Sequence, residues 1–382
     1  MKARTILALC LTAAIAAGVF LTGCASGHKE FLYTVGQGTN EVFEFRVQSN
    51  GTLVPLGVPN FPAGSNPVAL APHTSGDFLY IADFSGDNLT QLDINKSNGN
   101  LSVPVSSSIV QPVNPPNIFN TGAGPITLAM SPRDPFLYVA SQSDGKITSF
   151  TVDPGSGSLT ALATTAVVQQ PPPPAPAVVV NPKSMAISPK GDFLFVANPP
   201  QGTVAALTID AKGVLGYAPG SPFSMGVGST PNSVAVEHSG RFLYVADTAH
   251  NAVLGFSIQS NGSLTAITGS PFAAGLQPSG VAVDPQGALL FAANAGSNNV
   301  SAYVIDPNTG ALGAVKGSPF ATGGSGPSAV AVDSNSTAIY VAEQGTHDIA
   351  ALAIQSDGSL KPILGSPYTV ATQASAIVLV RR

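Results

Sequence analysis

The chain has 382 residues with 15 Lys+Arg and 20 Asp+Glu, so only 9% are charged against roughly 25% in an ordinary globular domain. Its 40 glycines and 33 prolines beside no tryptophan exclude coiled coils and long amphipathic helices, and the lack of a positive excess excludes a phosphate-neutralising nucleic-acid binder. A hydrophobic content of 44% is enough to fill a core, which leaves a turn-rich β protein as the expected class.

Lys2 and Arg4 precede an apolar run from Ile6 to Leu21, the layout of a secretory signal. At about 16 residues the run is shorter than the roughly 20 that span a bilayer. It ends in Leu21-Thr22-Gly23-Cys24, which resembles the lipobox of bacterial lipoproteins, where cleavage precedes a cysteine that then carries lipid. An ordinary secretory signal with a chance cysteine is the alternative. Residues 1–23 are therefore expected to be a lipoprotein signal peptide, Cys24 the lipidated N-terminus and 24–30 a short tether. The mature chain would carry 13 basic and 20 acidic residues, a net charge of −7, and no intramolecular disulfide, because Cys10 leaves with the signal. The implied location is the cell envelope, outside the cytoplasm, with the membrane as a partner through Cys24.

From residue 31 onward one phrase recurs seven times: FLYTV at 31, FLYIA at 78, FLYVA at 136, FLFVA at 193, FLYVA at 242, LLFAA at 289 and AIYVA at 338. Spacings of 47 to 58 residues fill the chain to its end. Each copy holds four short strand signals separated by turns. In the fifth copy these are 242–246, 252–258, 263–267 and 279–283, with an Asn261-Gly262 turn between the second and third. Such units cannot bury both apolar faces alone and must stack around an axis. The expected fold is all-β: residues 31–382 form a seven-bladed β-propeller of four-stranded antiparallel blades, with about 28 strands and almost no helix. The chain starts on an FLYVA-type strand and stops on an inner-type strand, QASAIVLV. Residues 374–380 should therefore close the ring by joining the three strands between 31 and about 56, removing the open edges at both chain ends.

The YVAN/YVAD-like strands, VxxFxID strands, GxL and GSPF segments resemble the YVTN-type repeats of the β-propeller lactonase family, which includes 6-phosphogluconolactonase-like proteins and relatives of muconate cyclases. The resemblance covers residues 31–382 and implies the propeller fold. It also implies a lactone-hydrolysing or cyclase-like activity, carried by an Arg-His pair at the start of an inner strand and a Glu after a neighbouring strand. Here the matching stretches read NPVALAP, GPITLAMSP, NPKSMAISP, TPNSVAVEH, QPSGVAVDP and GPSAVAVDS. None has the Arg-His pair, and Glu343 has no assignable partner, so the family's catalytic residues do not carry over.

Loops after the FLYVA-type strand and before the inner strand share one face, the top. The positions closing the FLYVA-type strands are Gly36, Asp83, Ser141, Asn198, Asp247, Asn294 and Glu343. Asp and Asn there cap turns in the simplest case. Together with Lys183, the single charged residue just after an inner-strand proline, residues Asp83, Asn198, Asp247, Asn294 and Glu343 are the candidate ligand-binding channel mouth. Three carboxylates among seven positions fall short of a hard-cation cage, so no metal and no cofactor is expected. His250 and His347 lie in top loops two blades apart with no nucleophile motif beside them; His28 precedes the fold, and His73 and His238 fall on the opposite face. Insertions at 111–122 and 169–180, the latter with a four-proline run, also fall on the top face, either as tolerated surface insertions or as a semi-rigid ridge for a peptide, glycan or partner protein, while a small anionic ligand would dock at Lys183. The chain reads as a monomeric ligand- or protein-binding module, with lactonase activity at a non-standard site as the alternative.

Overall fold

A computed structural model describes residues 29–57, 60–104, 117–166, 168–169, 178–179, 181–371 and 373–382. The signal segment 1–23, Cys24, His28 and most of the two insertions lie outside the described residues.

Seven antiparallel sheets surround one axis. Numbering blades from the first complete unit, the inner strands are Pro67–Pro72, Pro125–Met130, Ser184–Ile187, Pro231–Val236, Pro278–Val283, Pro327–Val332 and Gln373–Arg381, for blades 1 to 7. Each packs against the inner strands on both sides, and the seventh against the first, so the ring is shut. Within a blade the order runs outward from inner strand to FLYVA-type strand, third strand and outer strand. Blade 7 is completed as expected from the two chain ends. Gln373–Arg381 lies antiparallel to Glu30–Gln37, with Glu30 opposite Arg381 and Tyr33 opposite Val378. Lys29 N–H donates to Arg382 O at 2.9 Å and Arg382 N–H to Lys29 O at 2.7 Å.

Thirty-six strands are described rather than the expected 28. Six of the eight extra strands lie in the outer position, where every blade but the second makes two short segments instead of one, and the other two, Val168–Gln169 and Val178–Val179, pair with each other. In blade 3, Leu215–Tyr217 pairs with the end of Thr203–Ile209, and Phe223–Ser224 returns to pair with its beginning. The GSPF phrase makes this return: the peptide before Pro222 is cis, and Ser221 Oγ accepts a hydrogen bond from Ala206 N–H at 2.9 Å. Ser270, Ser318 and Ser366 repeat the arrangement in blades 4 to 6. Short 3-10 turns at Phe84–Gly86 and Pro199–Gln201 are the only helical segments among the described residues, and none of these is long and apolar enough to cross a membrane.

The FLYVA phrase is apolar at nearly every position because both of its faces are covered. In blade 1 all six residues of Phe78–Asp83 are buried. Apolar side chains gather in seven clusters, one at each junction between adjacent blades, including that between blades 7 and 1. The tyrosine of the phrase adds a directed bond across the junction. Tyr80 Oη donates to Gly157 O at 2.7 Å, and Tyr33, Tyr138, Tyr244 and Tyr340 reach Gly99, Gly213, Gly310 and Gly51 of the next blade in the same way. The phenylalanine opening the phrase lies flat on that same glycine. A Cβ built on Gly157 would meet Phe78 at 2.6 Å, and the residue's φ is +69°. Gly157→Ala therefore introduces both a clash and backbone strain. It should destabilise the protein by about 1–3 kcal/mol, read as a lower midpoint in urea unfolding; an unchanged midpoint would show that the junction is loosely packed.

Candidate ligand-binding site

The axial channel is built from a backbone irregularity repeated around the ring. Each inner strand begins on proline or its equivalent, paired with the last residue of the neighbouring FLYVA-type strand, and then slips register by one residue. Pro67 pairs with Asp83 and Ala69 with Ala82, so Val68 is left over as a bulge. The same slip leaves over Ile126, Asn232, Ser279, Ser328 and Ser375. In blade 3 the strand starts at Ser184 and Lys183 takes this place, its N–H bonded to Ala197 O at 3.0 Å. Bulged residues point their side chains inward, and these seven ring the top of a cavity of about 310 Å³.

Below this ring, Ala69, Thr127, Ser184, Ser233, Gly280, Ala329 and Ala376 keep the lining small. Its hydroxyls tie the blades together. Ser279 Oγ donates to Pro327 O at 2.6 Å, Ser328 Oγ donates to Ala374 O at 3.1 Å, and Ser184 Oγ accepts from Val234 N–H at 3.2 Å. At the opposite end Met130, Ile187, Val236 and Val283, with His238 and Asp284, line a separate depression. The channel top is thus polar and hydroxyl-rich, and the opposite depression more aliphatic.

Lys183 is the one charged side chain in the cavity lining. Its ammonium has no hydrogen-bond or ion-pair partner among the described residues. Water reaches the side chain inside the channel, yet the surrounding walls replace much of the bulk solvent, and this desolvation lowers its pKa from the ordinary lysine value.

The other expected mouth residues lie elsewhere. Asp83, Asn198, Asp247, Asn294 and Glu343 are all fully buried, and none lines the axial cavity. They stand one strand behind the channel wall, where the side chains of Asp83, Asp247, Asn294 and Glu343 clasp the loop that enters their own blade, while Asn198 Nδ2 donates to Val196 O at 3.4 Å. A Cβ on Gly64 would sit 2.2 Å from the Asp83 carboxylate, and one on Gly275 would sit 2.7 Å from Asn294 Nδ2. Asp83 accepts from Thr90 Oγ1 at 2.6 Å, and Asn294 donates to Asn299 Oδ1 at 2.8 Å and Ser301 Oγ at 2.9 Å. Burial raises the Asp83 carboxyl to about 7. Burial, with the neighbouring Asp348 carboxylate adding to it, raises Glu343 to about 7. These two buried acids thus change protonation near neutral pH rather than staying ionised through it. Among the described residues no group of three His, Cys, Asp or Glu side chains converges as a metal ion would require.

Asp247 differs from its counterparts. Burial pushes its pKa up, but hydrogen bonds from Ser229 Oγ, Thr230 N–H and His250 Nδ1 outweigh that and hold it below the usual carboxylate range. The His250 contact is 2.6 Å long. Sequence reading placed both residues on the top face without pairing them. Their three-residue spacing across a tight turn was the available signal. His347 lies two blades away in another top loop, and His73 is buried in a turn on the opposite face.

The fold defines a class: a seven-bladed β-propeller. The sequence profile of the family described as Lactonase, 7-bladed beta-propeller matches residues 116–174 and 222–323, and an LVIVD repeat profile matches 73–111. The resemblance to the β-propeller lactonase family read from the repeats is thereby borne out. No curated protein matches the sequence. Among solved structures, a candidate 6-phosphogluconolactonase from Bacteroides fragilis superposes with a TM-score of 0.76 at 20% identity, covering 94% of this chain and 99% of that one. The periplasmic gluconolactonase of Pseudomonas aeruginosa superposes at 0.74 and 20% identity, covering 93% and 99%. A candidate 6-phosphogluconolactonase from Bacteroides uniformis gives 0.75 at 19% identity, covering 92% and 99%. At these identities the likeness is one of fold.

Proposed function

We propose that the protein is a lipid-anchored, extracytoplasmic binding module that holds a small anionic ligand at the top of its axial channel. The observation that carries this reading is Lys183, a single unpartnered ammonium in a hydroxyl-lined cavity of about 310 Å³. An anion entering the cavity would meet a cation that water reaches but the channel walls partly desolvate, with amide and hydroxyl groups of Asn232, Thr127 and Gln344 around it. One ionisable group, rather than an acid–base pair, supports binding over hydrolysis. The lipobox-like Leu21–Cys24 supports the anchor. A tether of six residues, Ala25 to Glu30, reaches at most roughly 20 Å and enters the fold on the face opposite the channel mouth. The mouth and the top-face insertions would then point away from the membrane, open to small anions or to a protein or glycan partner.

Titration of D-gluconate and inorganic phosphate into the full chain tests the reading. Lys183→Met keeps the aliphatic stem and removes the charge. It should weaken binding at least about tenfold, because a hydrogen bond to a charged group is worth roughly 1.5–3 kcal/mol. Equal affinity in the variant, or no uptake of either anion by the parent chain, overturns the proposal. The family match and the described activity of the Pseudomonas neighbour favour a second reading, hydrolysis of a sugar lactone at the same mouth. Turnover of D-glucono-1,5-lactone above the spontaneous rate separates it from binding alone.

A further inference from the structure

We propose that the channel mouth is selective for short hydroxy acids that carry an alkyl group, the class of the 3-hydroxyalkanoates, over fully hydroxylated sugar acids. The inference rests on the anion reading of Lys183 and adds what the other six positions of the ring require of the same ligand. In blade order the seven inward residues at the top are Val68, Ile126, Lys183, Asn232, Ser279, Ser328 and Ser375, and all of them line the same cavity. Their chemistry is sorted around the ring. Two aliphatic side chains stand together on one side of the cation, and an amide followed by three hydroxyls runs round the other.

The aliphatic side is continuous. Val68 is part of the core at the junction of blades 1 and 2, and Ile126 packs against that core. Blades 1 and 2 contribute Val68, Ala69, Ile126 and Thr127 to the lining, and the one hydroxyl among them, Thr127, belongs to the layer below. A ligand hydroxyl turned to this wall would lose water without gaining a partner. An alkyl group there leaves water for an apolar surface, which strengthens binding about fourfold per buried methylene.

The other side offers acceptors. The single proton of Ser279 Oγ goes to Pro327 O at 2.6 Å or Ala293 O at 3.1 Å, and that of Ser328 Oγ to Ala342 O or Ala374 O, both at 3.1 Å. Ser375 Oγ donates to Val35 O at 3.4 Å. With these protons committed to backbone carbonyls, the three oxygens meet a ligand through their lone pairs. Asn232 donates from Nδ2 to Thr248 Oγ1 at 3.3 Å, which leaves its carbonyl oxygen as an acceptor. Acceptors call for donors on the ligand. An ammonium would share the cavity with Lys183 and be repelled, whereas a hydroxyl donates without charge. The mouth therefore fits a carboxylate at blade 3, a hydroxyl toward blades 4 to 7 and carbon toward blades 1 and 2. A 3-hydroxyalkanoate carries all three groups, and a cavity of about 310 Å³, at the small end of ligand pockets, suits a short one.

The test is calorimetric titration of the full chain with sodium 3-hydroxyhexanoate, hexanoate and D-gluconate. The hydroxy acid should bind at least about tenfold more tightly than D-gluconate, through its buried methylenes. It should exceed hexanoate by about two- to tenfold, the range that one neutral hydrogen bond gives. Ile126→Ser puts into blade 2 the residue that blades 5 to 7 already carry at this position, so the backbone accepts it, and thermal melts verify folding. The variant should shrink the preference over D-gluconate at least about fivefold. D-gluconate binding as tightly as 3-hydroxyhexanoate, hexanoate matching the hydroxy acid, or a folded Ile126→Ser protein with the parent's preference overturns this inference and leaves the anion site standing. A parent chain that takes up none of the three acids overturns both.

Discussion

Removing residues 374–382 should collapse the ring. Their strand supplies the inner edge of blade 7, pairing with Glu30–Gln37 along its whole length. It buries Ala374, Ile377 and Val380 between blades 6, 7 and 1. Arg382 adds an ion pair to Asp77 of blade 1 at 2.7 Å. Burying an aliphatic side chain contributes about 1.5–3 kcal/mol, so the loss of Ile377, Val380 and the strand's backbone bonds exceeds about 5 kcal/mol. That rivals the whole net stability of an ordinary domain. The shortened chain should be unfolded or melt more than about 15 °C lower by circular dichroism. A melt within a few degrees of the full chain would mean that the seven blades stand without their closing strand.

The protein should be more stable at pH 5 than at pH 8. Three buried carboxyls titrate near neutrality in the folded chain. Burial raises Asp83 and Glu343 to about 7, and burial raises Glu44 to about 7 against a single opposing hydrogen bond from Leu101 N–H. Their ordinary values are 3.8, 4.5 and 4.5. Between those limits the folded state binds more protons than the unfolded chain, so stability is full at low pH and falls as pH rises through 7. Asp247 is held low, and its contribution fades only under stronger acid. Burial lowers His73, which works in the opposite direction near pH 6, but it is one group against three. The summed loss should be several kcal/mol, or on the order of 5 °C in Tm. Asp83→Asn mimics the protonated acid with a side chain that Asn198 and Asn294 already supply in blades 3 and 5. It should flatten part of the slope. A Tm at pH 8 equal to or above that at pH 5 would show that these carboxyls ionise without cost.

The repeats were informative because propeller blades obey local rules. An FLYVA strand is covered on both faces, so its composition announces its place. Gly157 and its counterparts mark turns that a neighbouring aromatic ring needs empty. The terminal QASAIVLV segment could be matched to a missing inner strand by phase alone. Strand number was less legible: the serine before Pro222 bends the outer edge through a bond to Ala206 N–H, a contact that spacing does not reveal.

The candidate site divided along the same line. Lys183 was visible because the residue after the inner-strand proline recurs in every unit, and a one-residue bulge turns that position into the channel. Asp83, Asn198, Asp247, Asn294 and Glu343 look equally prominent in the repeat, yet their side chains lie behind the channel wall, where all but Asn198 clasp loops. Blade count, ring closure and the lone cation thus followed from periodic local chemistry. Which polar groups reach the axis, and which acid meets His250, depended on side-chain direction at a register slip and across a turn, and that exists only once neighbouring strands have paired.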